Sequence, residues 1–245
     1  MKVSIIKTSA PRRLARAGAL VVLAACTAPG ATQSPATGPA DGAARGANPD
    51  SIAAALIRAT LPPSPRQTQF AWELDEAGAR FQGRGVARYH APDRFRLDLF
   101  GPRGETYVAA ALVGDQPRVP AALAERFKLP SPALLWAGVG VVRPPAGARL
   151  TAAEADGDAV TLRYDLGPDG TLEYRARGSR LVSVRRLKGG GVQESVDLDR
   201  AADGTPRSAR YREWIALRNL NLSLEATTDV ASFPEDVWSP PGTGR

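Results

Sequence analysis

Apolar and polar positions alternate along most of the chain after residue 65. In QFAWELDEAG (residues 69–78), Phe70, Trp72 and Leu74 occupy every second position, and Glu73 and Asp75 fall on the opposite face. DRFRLDLFG repeats the pattern with aromatic and leucine residues against charged ones. A period of two is typical of strands with one buried face. The pattern therefore predicts a mostly β protein.

Short turn signals separate these alternating stretches, for example Asp156-Gly157, Asp169-Gly170 and Asp203-Gly204. We count about ten or eleven predicted strands, because each run is bounded by such a turn. The predicted strands are 66–75, 79–89, 93–100, 105–114, 148–154, 159–166, 171–177, 180–188, 191–199, 206–214 and 218–230. Consecutive hairpins favour an antiparallel meander that curls into an incomplete barrel.

Three short helices interrupt the strands. Ser51 is positioned to cap the first, Pro120 to open the second, and Ser131 with Pro132 to open a third that ends at Gly138. The last two are too short to be stable alone, so both are expected to pack on the sheet. We expect them to plug the open side of the incomplete barrel.

The N-terminus has the layout of a secretory signal peptide. Residues 1–25 combine basic residues, none of them acidic, with a short apolar run that ends before Cys26, the one cysteine of the chain. The run is too short to span a membrane, which takes roughly 20 apolar residues. An ordinary signal peptide with an incidental cysteine is the alternative. Residues 26–49 are rich in Ala, Pro, Gly, Thr and Ser, which predicts a flexible spacer before a single domain at residues 50–245.

The charge of the chain is concentrated in this leader. Five of the 32 Lys and Arg residues, and none of the 25 Asp and Glu residues, lie in residues 1–25, so the rest of the chain is nearly neutral. A nearly neutral domain lacks the concentrated positive charge on which nucleic-acid affinity depends. We therefore expect no nucleic-acid partner.

Candidate catalytic chemistry is sparse. His90 is the one histidine, and its place before a proline turn indicates an exposed turn residue. One histidine and one cysteine cannot assemble a His/Cys metal cluster, and no phosphate loop or nucleophile elbow is present. We predict no metal, no cofactor and no enzymatic activity. The alternative is a hydrolase, which would need a pair of carboxylates inside the barrel.

Several short motifs resemble known envelope proteins. LAAC, residues 23–26, resembles the bacterial lipobox, in which the cysteine carries a diacylglycerol. Residues 83–114, the LPSPALLWAGV stretch at 129–139 and the FPEDVWSPP tail at 233–241 resemble the outer-membrane lipoprotein-localisation family, the LolA/LolB-like carriers and receptors. The resemblance implies an incomplete β-barrel closed by helices, with an apolar cavity for acyl chains.

The lipobox resemblance implies a location, and the family resemblance implies ligands and a partner. Thr27 follows the cysteine where aspartate would retain a lipoprotein in the inner membrane, so it implies anchoring at the periplasmic face of the outer membrane. The implied ligands are acyl chains of lipoproteins or other lipids, with a periplasmic carrier protein as a further partner, and we expect a monomer. The implied membrane-facing turn is Pro102-Arg103-Gly104, where Arg103 stands in place of the receptor's protruding leucine.

Pattern and resemblance together give the hypothesis of a ligand cavity beneath the plug. The residues predicted to line it are Phe70, Trp72, Phe95, Leu97, Leu99 and Trp136. The alternative function is a non-catalytic accessory lipoprotein of the envelope that uses the same fold to bind a protein partner. A cavity of several hundred Å³ would favour the lipid ligand.

Overall fold

The structure is a computed structural model that describes residues 48–125 and 127–243. These residues form one twelve-stranded antiparallel sheet that does not close into a barrel. The strands are β1 (Arg66–Glu76), β2 (Ala79–His90), β3 (Arg94–Phe100), β4 (Thr106–Val113), β5 (Gln116–Arg118), β6 (Arg149–Asp156), β7 (Ala159–Asp165), β8 (Thr171–Arg177), β9 (Arg180–Lys188), β10 (Gly191–Arg200), β11 (Pro206–Glu213) and β12 (Arg218–Asp229). The predicted meander is confirmed. The one strand that the sequence pattern did not predict is β5, which has three residues and no alternation of apolar and polar positions.

The sheet is a meander with one closing pair. The strand order is β5-β4-β3-β2-β1-β12-β11-β10-β9-β8-β7-β6, so β1 pairs with β12 in the middle and β5 and β6 form the two edges. These edge strands are consecutive in sequence. The chain between them, residues 119–148, therefore has to cross from one edge of the sheet to the other.

The helices lie before β1 and in this crossing connection. They are α1 (Pro49–Thr60), α2 (Ala121–Ala124) and α3 (Pro132–Gly138). The predicted cap of the first helix is corrected: Asn48 is the N-cap and its Oδ1 accepts from the Asp50 amide at 2.9 Å, which places Ser51 inside the helix. Helix α1 thus begins at Pro49, inside the segment assigned to the spacer. Short as it is, α3 packs on β9, β10 and β11.

Two glycines allow close approach where β2 meets its neighbours. A Cβ on Gly85 would lie 2.3 Å from the Phe70 ring, and one on Gly83 would lie 1.9 Å from the Phe100 carbonyl oxygen. Both distances are impossible for a side chain, so the sheet curls tightly here only because these positions carry none. The curl turns Phe70 and its neighbours toward one side, which we call the inner face.

The inner face carries the main apolar core. Tyr89 and Phe95 stack with their ring centroids 6.1 Å apart, and Trp136 of α3 packs edge-on against Phe95 at 5.3 Å. A second aromatic pair, Tyr164 and Tyr174, lies on β7 and β8. The contact of Trp136 with Phe95 holds α3 against the face of the sheet that the sequence predicted to be buried.

The outer face of β3 and β4 is covered by the C-terminal segment. A short 3₁₀ helix, Glu235–Trp238, packs there and buries the Trp238 side chain. Beneath it, the buried Asp98 carboxylate accepts from Arg88 at 2.7 Å and from Arg96 at 2.8 Å, and Arg96 also donates to the Val237 carbonyl at 2.8 Å. A paired buried carboxylate therefore joins the tail to the sheet.

Several sequence-based expectations fall on other parts of the chain. The signal peptide, Cys26 and nearly all of the predicted spacer, residues 1–47, lie outside the described residues.

Within the described part, none of the helices has the length and apolar character needed to cross a bilayer. The same residues hold no group of three or more His, Cys, Asp or Glu side chains placed to bind a metal. His90 lies exposed at the end of β2.

The Asp98 cluster generates a stability prediction. Asp98→Asn leaves two arginines without their carboxylate under the tail, so the free energy of unfolding should fall by about 3 kcal/mol. Asp229→Asn is the matched control, because Asp229 makes a similar 2.7 Å pair with Arg66 but is exposed, and it should change little. Urea unfolding followed by circular dichroism measures both. Equal losses in the two variants would contradict the role of Asp98.

Candidate functional site

An apolar cavity lies between the inner face and the crossing connection. Residues 127–139, which we call the plug segment, form one wall through α3 and the residues around it. Helix α2 takes no part in the lining. The opposite wall comes from both halves of the sheet, since β1 to β3 and β10 to β12 all contribute side chains.

Four of the six predicted cavity residues lie around this space: Phe70, Phe95, Leu97 and Leu99. Trp72 lies elsewhere, because its indole N–H donates to the Arg84 carbonyl at 3.0 Å and the Phe100 carbonyl at 3.1 Å. The Trp136 side chain is fully buried behind the lining, among other aromatic rings.

The cavity is apolar and small. Its volume is about 50 Å³, and its lining is almost entirely aliphatic or aromatic. Pockets for drug-sized ligands occupy about 300–1,000 Å³, and a water molecule takes about 30 Å³ of liquid volume. The space in this structure therefore holds no acyl chain, and a larger ligand enters only if the plug segment moves.

Sequence reasoning missed part of the lining. The further residues with large side chains are Phe127, Leu134, Leu135, Val196, Tyr211, Leu220, Leu222 and Leu224. A signal for some of them was present, since the three leucines of β12 alternate strictly along the strand. What the alternation does not give is that β12 pairs with β1, which brings these leucines beside Phe70.

An arginine fastens the start of the plug segment to the sheet. Arg218, at the first position of β12, donates to the Lys128 carbonyl at 3.0 Å, and its guanidinium lies 5.0 Å from the Phe127 ring centroid. Arg218 also pairs with Glu76 and Glu213, so its charge is compensated although it is buried. Its planar fork makes several of these contacts at once, which a lysine cannot do.

A second arginine holds the chain that follows the plug segment. Arg143 pairs with Asp115 and donates to the Pro92 carbonyl, and its guanidinium lies 5.8 Å from the Trp136 ring centroid. Burial raises the pKa of Asp115, but its hydrogen bonds from Arg143 and the Ala146 amide outweigh this and hold the pKa below the usual value. The pair therefore stays charged at neutral pH.

Between these two attachments, α3 is held by apolar packing. Within the described residues, the buried polar side-chain atoms without a hydrogen-bond partner are Ser131 Oγ, Trp136 Nε1 and Tyr174 Oη. Two of the three belong to the plug segment. Moving α3 outward would expose the apolar surface that now packs on the sheet.

Two buried carboxylates meet behind the cavity. The Tyr211 hydroxyl donates to Glu194 at 2.8 Å and lies 3.5 Å from Glu213, and burial together with Glu194 raises the pKa of Tyr211 strongly. Each carboxylate has its own cation: Arg186 binds Glu194 at 2.6 Å, and Arg218 binds Glu213 at 3.2 Å. We read this cluster as a structural ion-pair network, because compensated carboxylates of this kind need no catalytic role.

The Pro102-Arg103-Gly104 turn lies apart from the cavity. It connects β3 and β4, and Arg103 is exposed there while its amide donates to Glu105 Oε2 at 2.9 Å. The turn is thus a surface feature at one end of the sheet.

Two solved structures share the backbone architecture of this chain. A crystal structure of a LolA superfamily protein from Nitrosomonas europaea superposes with a TM-score of 0.52 at 13% sequence identity, covering 78% of this chain and 97% of that one. A domain from Vibrio parahaemolyticus, described as an outer membrane lipoprotein-sorting protein, superposes with a TM-score of 0.52 at 9% identity, covering 76% and 94%.

This chain has a LolA/LolB-like fold. No protein-family model matches the sequence, and no curated protein matches it either. At identities of 13% and 9% the likeness is one of backbone architecture. The cavity therefore has to be interpreted from the side chains of this chain.

The attachment of the plug segment can be tested at Arg218. Arg218→Lys keeps the charge but loses the bidentate fork, so we expect the free energy of unfolding to fall by about 2 kcal/mol. Amide hydrogen exchange across residues 127–139 should become about tenfold faster or more. The control Arg66→Lys alters an exposed pair and should leave this exchange unchanged. Uniformly faster exchange over the whole sheet would argue against a local attachment.

Proposed function

We propose that this protein is a lipid-anchored carrier or receptor that binds the acyl chains of lipoproteins at the periplasmic face of the outer membrane. The observation that carries the proposal is the apolar cavity between the inner face and the plug segment. Such a protein needs an apolar space and no catalytic group. The LolA/LolB-like fold supports an envelope role of this kind.

Binding requires displacement of the plug segment. An acyl chain of 16 carbons gains roughly 12 kcal/mol on leaving water, at about 0.8 kcal/mol per CH₂. Moving α3 exposes apolar surface of its own, so the ligand has to replace those contacts. A closed resting state lowers the apparent affinity and keeps the inner face covered when no ligand is bound.

The lipid anchor is tested at Cys26. The Cys26→Ser protein should lose metabolic labelling by a fatty acid and leave the membrane fraction, because no thiol remains to carry diacylglycerol. The parent protein is the control. Unchanged labelling of the serine variant would exclude Cys26 as the attachment site.

The cavity is tested at Leu97, a lining residue on β3. Leu97→Trp fills the space beneath α3, so binding of a fluorescent fatty-acid probe should fall at least tenfold, while overpacking lowers the stability by about 1–3 kcal/mol. Val182→Trp is the matched control, because Val182 is partly exposed on β9 and lies outside the lining. Circular dichroism checks that both variants are folded.

A second variant at the same position separates binding from folding. Leu97→Ala enlarges the cavity and should lower the stability by about 2–5 kcal/mol, yet it should retain the probe. A folded Leu97→Trp protein that binds the probe as tightly as the parent would contradict the proposed cavity.

The small volume of the cavity favours a second candidate. A non-catalytic accessory lipoprotein that binds a protein partner in the envelope needs no interior space, and about 50 Å³ is what a packed core with a minor void would contain. Parent protein that fails to bind any fatty-acid probe would support this candidate over the carrier.

A further inference from the structure

The turn between β11 and β12 carries an exposed apolar cluster. We call Trp214, Ile215, Ala216 and Leu217 the apolar tip. Trp214 is 51% exposed, Ile215 77% and Leu217 70%. Among the described residues, these three are the most exposed of the large hydrophobic side chains. A contiguous exposed cluster marks an interaction site, whereas single exposed apolar residues are ordinary.

The backbone conformation of the tip also favours an interaction site. Leu217 has a φ of +50°, in the left-handed region. The neighbouring turn at residues 189–190 uses Gly189 and Gly190 at positive φ, which is the usual choice. A bulky side chain at such a position is uncommon. The Leu217 side chain is 70% exposed, so packing in the core does not account for a leucine at this position.

A cation without a carboxylate partner, Arg212, lies beside the tip, and two others lie in turns that point the same way along the strands. The Arg212 guanidinium lies 5.9 Å from the Trp214 ring centroid. Within the described residues, Arg212, Lys188 and Arg103 make no ion pair. Apolar side chains beside uncompensated cations are typical of segments that lie in the interface of an anionic membrane.

The register brings these features to one end of the sheet. Arg218 pairs with Glu76, which in turn pairs with Ala79, so the β11–β12 and β1–β2 turns lie side by side. Phe100 pairs with Arg84, the sixth of the twelve residues of β2, so the β3–β4 turn with Arg103 points the same way along the strands but is set back toward the middle of the sheet.

We propose that the apolar tip inserts into the headgroup region of an anionic phospholipid bilayer, with Trp214, Ile215 and Leu217 in the acyl boundary and Arg212 at the phosphates. Tryptophan and arginine side chains suit these two depths. The membrane contact of this chain thus lies at the β11–β12 turn.

The chain between Cys26 and Asn48 is long enough for this contact. About 20 residues span at most about 70 Å, which exceeds the size of the domain. This reach argument rests on the proposed lipid anchor, but insertion of the tip does not. The tip also lies next to Arg218, which fastens the plug segment, so membrane contact occurs beside the attachment that opening has to release.

Site-specific labelling tests the insertion. In a full-length chain with Cys26→Ser, the change Ile215→Cys gives a single thiol at the tip for an environment-sensitive fluorophore such as NBD. Ser179→Cys is the matched control, because Ser179 is exposed in the β8–β9 turn at the opposite end of the strands. Vesicles contain phosphatidylethanolamine with a minority of phosphatidylglycerol.

On these vesicles the label at 215 should brighten about threefold, shift to the blue and be quenched by lipids that carry a nitroxide in the acyl chain. The label at 179 should stay in water. The triple change of Trp214, Ile215 and Leu217 to Ser should weaken vesicle binding about tenfold while the Tm stays within error.

A label at 215 that stays accessible to aqueous iodide on vesicles would overturn the proposal and leave a protein partner for the tip. Fatty-acid probe binding is measured on the same proteins without vesicles. Probe binding that persists while the tip remains in water therefore refutes the membrane contact alone, and loss of probe binding with tip insertion intact refutes the carrier alone.

Discussion

The apolar inner face of an unclosed sheet has to be covered, and the rest of the architecture depends on this requirement. Twelve strands curl without pairing β5 to β6, so neither barrel closure nor a second sheet shields the face. The connection between these two edge strands provides the cover, because it has to cross the open side. Helix α3 is seven residues long and persists through its contacts with the sheet.

Arginine–carboxylate pairs hold in place the segments that are not hydrogen-bonded into the sheet. Arg218 attaches the start of the plug segment, Arg143 attaches the chain after it, and Arg96 with Asp98 attaches the C-terminal tail to the outer face. Each guanidinium bonds a backbone carbonyl as well as a carboxylate. Such pairs hold the connections in one position without filling the cavity.

The two features on which the proposals rest lie in different places. The inner face provides an apolar surface that the plug segment covers. The apolar tip and the unpaired cations lie at one end of the strands, beside Arg218. The proposed membrane contact and the attachment of the plug segment are therefore adjacent along the chain.

Local sequence determined the strands, since alternation with a period of two and Gly-containing turns are properties of neighbouring residues: eleven of the twelve strands are within two residues of their predicted bounds at each end. Strand β5 was not predicted because its three residues, centred on Pro117, are too few to show a period of two. Only the tertiary structure decided which buried side chains line the cavity. Phe70 and Trp72 share a face of β1, yet the glycine-dependent curl of β2 aims Phe70 into the space while Trp72 bonds backbone carbonyls. The pairing of β1 with β12, about 150 residues apart, is a long-range contact that no local pattern encodes, and with it come both the Arg218 attachment and the position of the apolar tip.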